Sequence, residues 1–131
     1  MKYIVVMAHN TKKPELATFL KEREQFLWGR KLVATGRSAE FLEKEKFSLP
    51  IKHLSQGKYG GYNQITEMIA EKDVDMVIFF QDVEVKEHHD DIRRLLDACN
   101  SNNIPVALNP ASAELMIIGI IRKQYSERVD S

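Results

Sequence analysis

The stretch VDMVIFFQDVEVKEHHDD, Val74 to Asp91, decides the fold. Its first half, Val74 to Phe80, is an apolar run bounded by charges and without period-two alternation, which is the pattern of a strand covered on both faces. Such strands lie inside a sheet. The second half is a loop crowded with titratable side chains: Asp82, Glu84, Lys86, Glu87, His88, His89, Asp90 and Asp91.

Working outward, the same strand-then-helix unit recurs. Tyr3 to Ala8 reads as a first buried strand ending at His9 and Asn10. Pro14 suits a first helical turn, and Leu16, Phe19, Leu20, Phe26 and Leu27 follow on one face, so one helix is predicted to run to about Trp28 and Gly29. Leu32 to Thr35 is a short strand, and Ser38 is placed to cap a helix carrying Phe41 and Leu42. Ile51 to Leu54 is a third strand, and a glycine-rich loop from Ser55 to Gly61 precedes a helix over about Tyr62 to Lys72. After the titratable loop, Ile92, Leu95, Leu96 and Cys99 mark a helix whose first turn holds carboxylates, which suits the helix dipole. Ile104 to Leu108 is a fifth strand, and Asn109-Pro110 opens a last helix. The tail from Arg122 is polar and expected to be in part mobile. Five such repeats in 131 residues predict one α/β domain, a three-layer sandwich around a five-stranded, mainly parallel sheet.

Composition narrows the function. Nineteen Lys and Arg balance nineteen Asp and Glu, so no net field points to nucleic acid or an anionic membrane, and a small ligand or protein partner is expected. The single Cys99 excludes an intrachain disulfide, the opening MKYIVVMAHN lacks the order of a secretory signal, and no apolar run spans a bilayer. A cytoplasmic protein is expected.

In parallel α/β sheets ligands bind beyond the carboxyl ends of the strands. The residues there are His9, Asn10 and Lys13; Thr35, Gly36, Arg37 and Ser38; Ser55 with Gly57; Asp82 through Asp91; and Asn109. Small hydroxyls and glycines before a helix let backbone N–H groups meet an anion, and Lys13 can reach the same place. Thr35 to Ser38 alone is better read as a cap and a turn, since neither a Walker-type lysine nor GxGxxG occurs. His88 and His89 are adjacent and lack a second spaced pair, so metal is not expected. A histidine beside carboxylates does suit acid and base work. Cys99 lies on an apolar stripe and reads as a core thiol.

Taken together, VVMAHNTKK (Val5 to Lys13), ATGRS (Ala34 to Ser38), LSQGKYGGYNQ (Leu54 to Gln64), VDMVIFFQD (Val74 to Asp82), HHDDIRRLL (His88 to Leu96) and NIPVALNPASAELMI (Asn103 to Ile117) resemble the methylglyoxal synthase family. Its members are lyases that remove phosphate from dihydroxyacetone phosphate. The resemblance implies a Rossmann- or flavodoxin-type topology, a cytoplasmic homohexamer, and neither metal nor organic cofactor. It implies substrate phosphate at His9, Lys13, Thr35, Ser38 and Ser55, with Asn10, Gly36, Arg37 and Gly57 alongside. His88 would contact substrate oxygens, with Asp91 and Asp82 as the matching acids.

The departures are as informative. Tyr62 stands where the family has an aspartate that takes a carbon-bound proton, Asn10 where it has an aspartate, and Arg37 where it has a threonine. One residue is inserted in the glycine loop, and Arg128 is the candidate for an arginine near the family's C-terminus. A tyrosine with pKa ~10 is about one-thousandth ionised at neutral pH. Loss of a general base costs ~10²- to 10⁴-fold in rate. Lys58 or Arg37 would have to lower the pKa of Tyr62, or Asp82 or Asp91 would have to take the proton. Two functions follow as expectations: a lyase of this type, or a domain of the same fold that binds a phosphorylated metabolite in a regulatory role.

Overall fold

A computed structural model describes residues 2–130, with side chains described through residue 127. The strands are β1 (Tyr3–Ala8), β2 (Lys31–Ala34), β3 (Lys52–His53), β4 (Val74–Phe80) and β5 (Val106–Ala107). The helices are α1 (Lys13–Lys21), α2 (Glu24–Leu27), α3 (Gly36–Lys44), α4 (Gly61–Ala70), α5 (His89–Ser101) and α6 (Pro110–Asp130), with 3₁₀ turns at Asn10–Lys12 and Gly57–Tyr59. The sheet order is β3-β2-β1-β4-β5, and every pairing is parallel. The middle strand is therefore β1, with β4 beside it.

Along β1 the side chains alternate between two cores. Ile4, Val6 and Ala8 pack with Leu16, Leu20, Leu42, Ala113 and Ile117 from α1, α3 and α6. Val5 and Met7 pack with Ile65, Ile69, Ile92, Leu95 and Cys99 from α4 and α5. Helices thus cover both faces, which explains why β1 and β4 are apolar without alternation. Asp75 breaks the apolar run of β4 and is exposed. The register shifts there, with Tyr3 opposite Val74 but Ile4 opposite Met76, so Asp75 bulges out of the ladder and Val74 and Val77 share one face.

Three sequence expectations are corrected. The first helix breaks at Glu22 and Arg23 into α1 and α2, because Arg23 leaves helical geometry and its guanidinium folds back over the Phe19 ring at 3.8 Å. It donates to the Phe19 carbonyl at 3.1 Å and pairs with Glu114 of α6. Ser38 does not cap α3, because Thr35 occupies the N-cap and Ser38 turns inward to accept the Ala8 N–H at 3.2 Å. β3 shrinks to two exposed residues at the sheet edge, where only β2 supports it. The polar tail from Arg122 continues α6 to Asp130. The side chain of Arg128 lies outside the described residues.

Candidate active site

The chain steps from β1 to β2 and β3 on one side, then returns to place β4 on the other side of β1. That reversal opens a crevice beyond the ends of β1 and β4, the place where ligands bind in such sheets. His9 sits at its root. Its backbone N–H donates to the Phe80 carbonyl at 3.1 Å, and its Nδ1 accepts the Asp82 N–H at 2.8 Å. An accepting Nδ1 fixes the proton on Nε2. Burial lowers the His9 pKa below 6.5, Asp82 opposes this, and Lys13 adds to it, so the neutral imidazole is the form the fold favours. His9 is only 8% exposed, and its Nε2–H has no partner among the described residues. A buried donor without an acceptor is unfavourable by about 1–3 kcal/mol.

One wall of the crevice carries cations and hydroxyls. The 3₁₀ turn after β1 and the start of α1 place Asn10 and Lys13, and the start of α3 places Thr35, Arg37 and Ser38. Lys13 is 7% exposed, and its Nζ donates to Asn10 Oδ1 at 2.6 Å. No carboxylate of the described residues pairs with it, and burial, then Arg37, lower its pKa. Among the described residues Arg37 reaches only the Gln56 amide, Nε to Oε1 at 3.3 Å. The N-terminus of α3 has no side-chain cap, which leaves its positive end toward the same space.

The facing wall is built by the glycine loop, the first turn of α4 and the loop after β4. Together the two walls enclose about 290 Å³, with Gln56, Gly57, Lys58, Tyr62, Val85, Glu87 and His88 on this side. The Tyr62 ring stacks on Phe79 at 5.8 Å and 25°, with His88 tilted at 6.2 Å. It lies over the Gly57 backbone so closely that a Cβ there would come within 2.6 Å of Cε2. Position 57 therefore requires glycine while Tyr62 keeps this rotamer. Burial, then the Asp91 charge, push the Tyr62 phenol above its usual pKa of 10. Neither Lys58 nor Arg37 is among the causes of that shift, and the two that are, burial and Asp91, favour the protonated phenol.

Of the residues singled out in the sequence, the crevice collects His9, Asn10, Lys13, Thr35, Arg37, Ser38, Gly57, Tyr62 and His88. It does not collect Gly36, Ser55, Asp82 or Asp91. Gly36 is a close-approach position, where a Cβ would meet the Leu54 carbonyl at 3.1 Å. Ser55 is exposed, with its backbone bonded to Gly36 and to Gln64. Asp82 fastens loops: its carboxylate accepts Thr11 Oγ1 at 2.6 Å and the Glu84 N–H at 2.9 Å, and these bonds hold its pKa below the ordinary 3.8. Asp91 pairs with Arg94 at 3.2 Å outside the lining. Thr11 and Gln56 line the crevice without having been singled out, and Val85 and Glu87 enter it from the Asp82-to-Asp91 loop, which the sequence offered only as a whole. Glu87 had one signal, its position next to His88, but within a charge run it reads as solvated. Among the described residues no group of three His, Cys, Asp or Glu is placed to hold a metal ion, and no helix is long and apolar enough to cross a membrane.

Fold and crevice define a class: a parallel α/β domain with a donor-rich cleft at the point where the strand order reverses. The MGS-like domain family matches residues 15–108. The chain is 42% identical to the methylglyoxal synthase of Aliivibrio fischeri (strain MJ11) over 117 residues, covering 88% of this chain and 77% of that protein. It is 37% identical to the methylglyoxal synthase of Clostridium botulinum (strain Eklund 17B / Type B), covering 87% and 96%. The crystal structure of methylglyoxal synthase from Elizabethkingia anophelis NUHP1 superimposes with a TM-score of 0.81 at 32% identity, covering 88% of this chain and 76% of that one. The chain belongs to the MGS-like family.

Proposed function

We propose that the chain is a methylglyoxal synthase-type lyase, which eliminates inorganic phosphate from dihydroxyacetone phosphate to give methylglyoxal. The observation that carries this reading is Lys13: a buried ammonium whose described partner is one neutral amide, next to Arg37 and the uncapped start of α3. A buried charge without a counter-charge is unfavourable, and a phosphate dianion supplies the missing charge. Thr35 and Ser38 add hydroxyls on the same wall.

The second half of the reaction needs donors at the carbonyl oxygen. His9 Nε2–H, Tyr62 and His88 line the same cleft as Lys13 and Arg37, and its volume of about 290 Å³ has room for a three-carbon phosphate ester. Fixed donors in a partly dry cleft stabilise the enediolate oxygen that forms when a carbon-bound proton leaves. A phosphate release assay on dihydroxyacetone phosphate tests the reading, with Lys13→Met as comparison. Release by the wild type that falls at least tenfold in the variant supports it; equal release by both contradicts it.

One observation favours a second reading. The protonated Tyr62 removes the base expected at that place, so the same cleft would hold a phosphorylated metabolite in a regulatory role without turnover. A ligand-induced rise in melting temperature without product distinguishes it. Under either reading we propose self-association as a homohexamer and work in the cytoplasm. Leu115, Ile118, Ile121 and Tyr125, exposed on α6, are apolar surface compatible with assembly.

A further inference from the structure

We infer that Glu87 is the carboxylate that takes the carbon-bound proton in this chain, replacing an acid at position 62; the inference rests on the lyase reading above. Four groups near the cleft are acids. Asp82 has both carboxylate oxygens engaged, by Thr11 and by the Glu84 N–H. Asp91 is paired with Arg94 and lies outside the lining. Tyr62 is a protonated phenol. Glu87 is the one carboxylate among the described residues lining the cleft, and no described residue holds it in a hydrogen bond or an ion pair.

The backbone beside Glu87 is held in a defined turn. His88 takes φ 59 and ψ 26, the left-handed region that a side chain other than Gly, Asn or Asp enters at a cost of about 1 kcal/mol or more. That turn ends the loop and starts α5 with the Ile92 N–H on the His88 carbonyl at 3.0 Å. It leaves Glu87 and His88, neighbours in sequence, both lining the same cleft. The loop's root is pinned, since Val85 N–H bonds Asp82 and Asp82 is fastened to Thr11. Its rim is exposed, so the Glu87 side chain can swing over a ligand whose phosphate is held on the far wall.

In the step assigned to it, the Glu87 carboxylate takes the proton from the hydroxymethyl carbon. The freed electron pair forms the carbon–carbon double bond of an enediolate, and the negative oxygen rests on His9 Nε2–H. That double bond then shifts toward the phosphate-bearing carbon as its C–O bond breaks. Phosphate leaves with the bonding pair and takes the hydroxyl proton, and the hydroxymethyl carbon becomes the aldehyde. The remaining enolate regains a proton on carbon from Glu87, and methylglyoxal and hydrogen phosphate result.

Glu87→Gln removes the base and keeps the shape of an exposed side chain. The measurements are turnover of dihydroxyacetone phosphate, exchange of its carbon-bound hydrogen with D₂O, and the Kd of inorganic phosphate. Turnover and exchange are expected to fall together by about 10²- to 10⁴-fold, with the phosphate Kd within about threefold of wild type and Glu84→Gln, on the same loop, unaffected. Glu87→Asp is expected to retain part of the rate. An active wild type matched by an equally active Glu87→Gln overturns the inference alone. A wild type that binds phosphate but gives neither product nor exchange overturns the lyase reading, and this inference with it.

Discussion

Replacing Gly61 with alanine should damage the cleft from behind. Gly61 opens α4, and a Cβ built on it would lie 2.2 Å from the Ser55 carbonyl oxygen and 3.0 Å from the Gln56 carbonyl carbon and oxygen. Both neighbours are backbone, so no rotamer change relieves the contact. The Ser55–Gln56 peptide must retreat by at least 0.8 Å to reach the 3.0 Å below which real Cβ contacts essentially never fall. The Ser55 and Gln56 carbonyls are held by three bonds: Gly36 N–H to Ser55 O at 3.1 Å, Tyr59 N–H to Gln56 O at 2.9 Å and Gly61 N–H to Gln56 O at 3.0 Å. Forced displacement of packed atoms costs about 1–3 kcal/mol, and one weakened backbone bond about 1 more. Alanine's better helix propensity returns up to about 1 kcal/mol, so a net loss of about 1–3 kcal/mol is expected. For a chain of this size that is a fall in Tm of roughly 4–15 °C. Thermal unfolding by circular dichroism measures it, with Gly119→Ala as reference: Gly119 is in α6 with nothing within 4 Å of a built Cβ, so alanine there should stabilise by up to about 1 kcal/mol. A Gly61→Ala protein melting within 2 °C of wild type would refute the steric argument.

Three further outcomes follow from the same geometry. Lys13→Met should weaken inorganic phosphate binding by about 10- to 100-fold in calorimetry, since hydrogen bonds to charged groups contribute about 1.5–3 kcal/mol; an unchanged Kd would remove Lys13 from the anion site. The folded His9 pKa lies below its unfolded 6.5, so the fold favours the neutral ring, its contribution is fully present above pH 6.5, and it is lost as pH falls from 6.5 through the folded value. Denaturant titrations from pH 7.5 to 5 should show stability falling across that window, and His9→Asn should flatten the slope. Cys99 is 1% exposed with its thiol pushed up to about 11, so a thiol reagent at pH 8 should label it only at the rate of unfolding, and rapid labelling of the native protein would contradict the packing.

The layered fold was legible because its signals are local and strong. Val74 to Phe80 and Tyr3 to Ala8 are apolar on both faces for a reason the sheet order makes plain, and Pro14 and Pro110 fall within the first turns of α1 and α6. Breaks that depend on a distant partner were not legible. The kink at Arg23 needs Glu114 on α6, and the inward turn of Ser38 needs the Ala8 N–H. The site divided in the same way. His9, Lys13 and Thr35 follow strands directly and are placed by the strand ends, whereas Asp82 and Asp91 looked catalytic in a charge run and are engaged by Thr11 and Arg94. Sequence identifies Tyr62 as a departure, but the direction of its pKa shift depends on burial against Phe79 and on the Asp91 charge, which only the packing reveals.

The central claim is that this cleft binds a triose phosphate and eliminates its phosphate. Proton and phosphorus NMR of the purified chain with dihydroxyacetone phosphate tests it most directly. The account predicts loss of substrate signal with methylglyoxal and inorganic phosphate rising in equal amounts. Substrate that binds, shifting its phosphorus resonance, yet persists unchanged at the rate of the buffer control would contradict it.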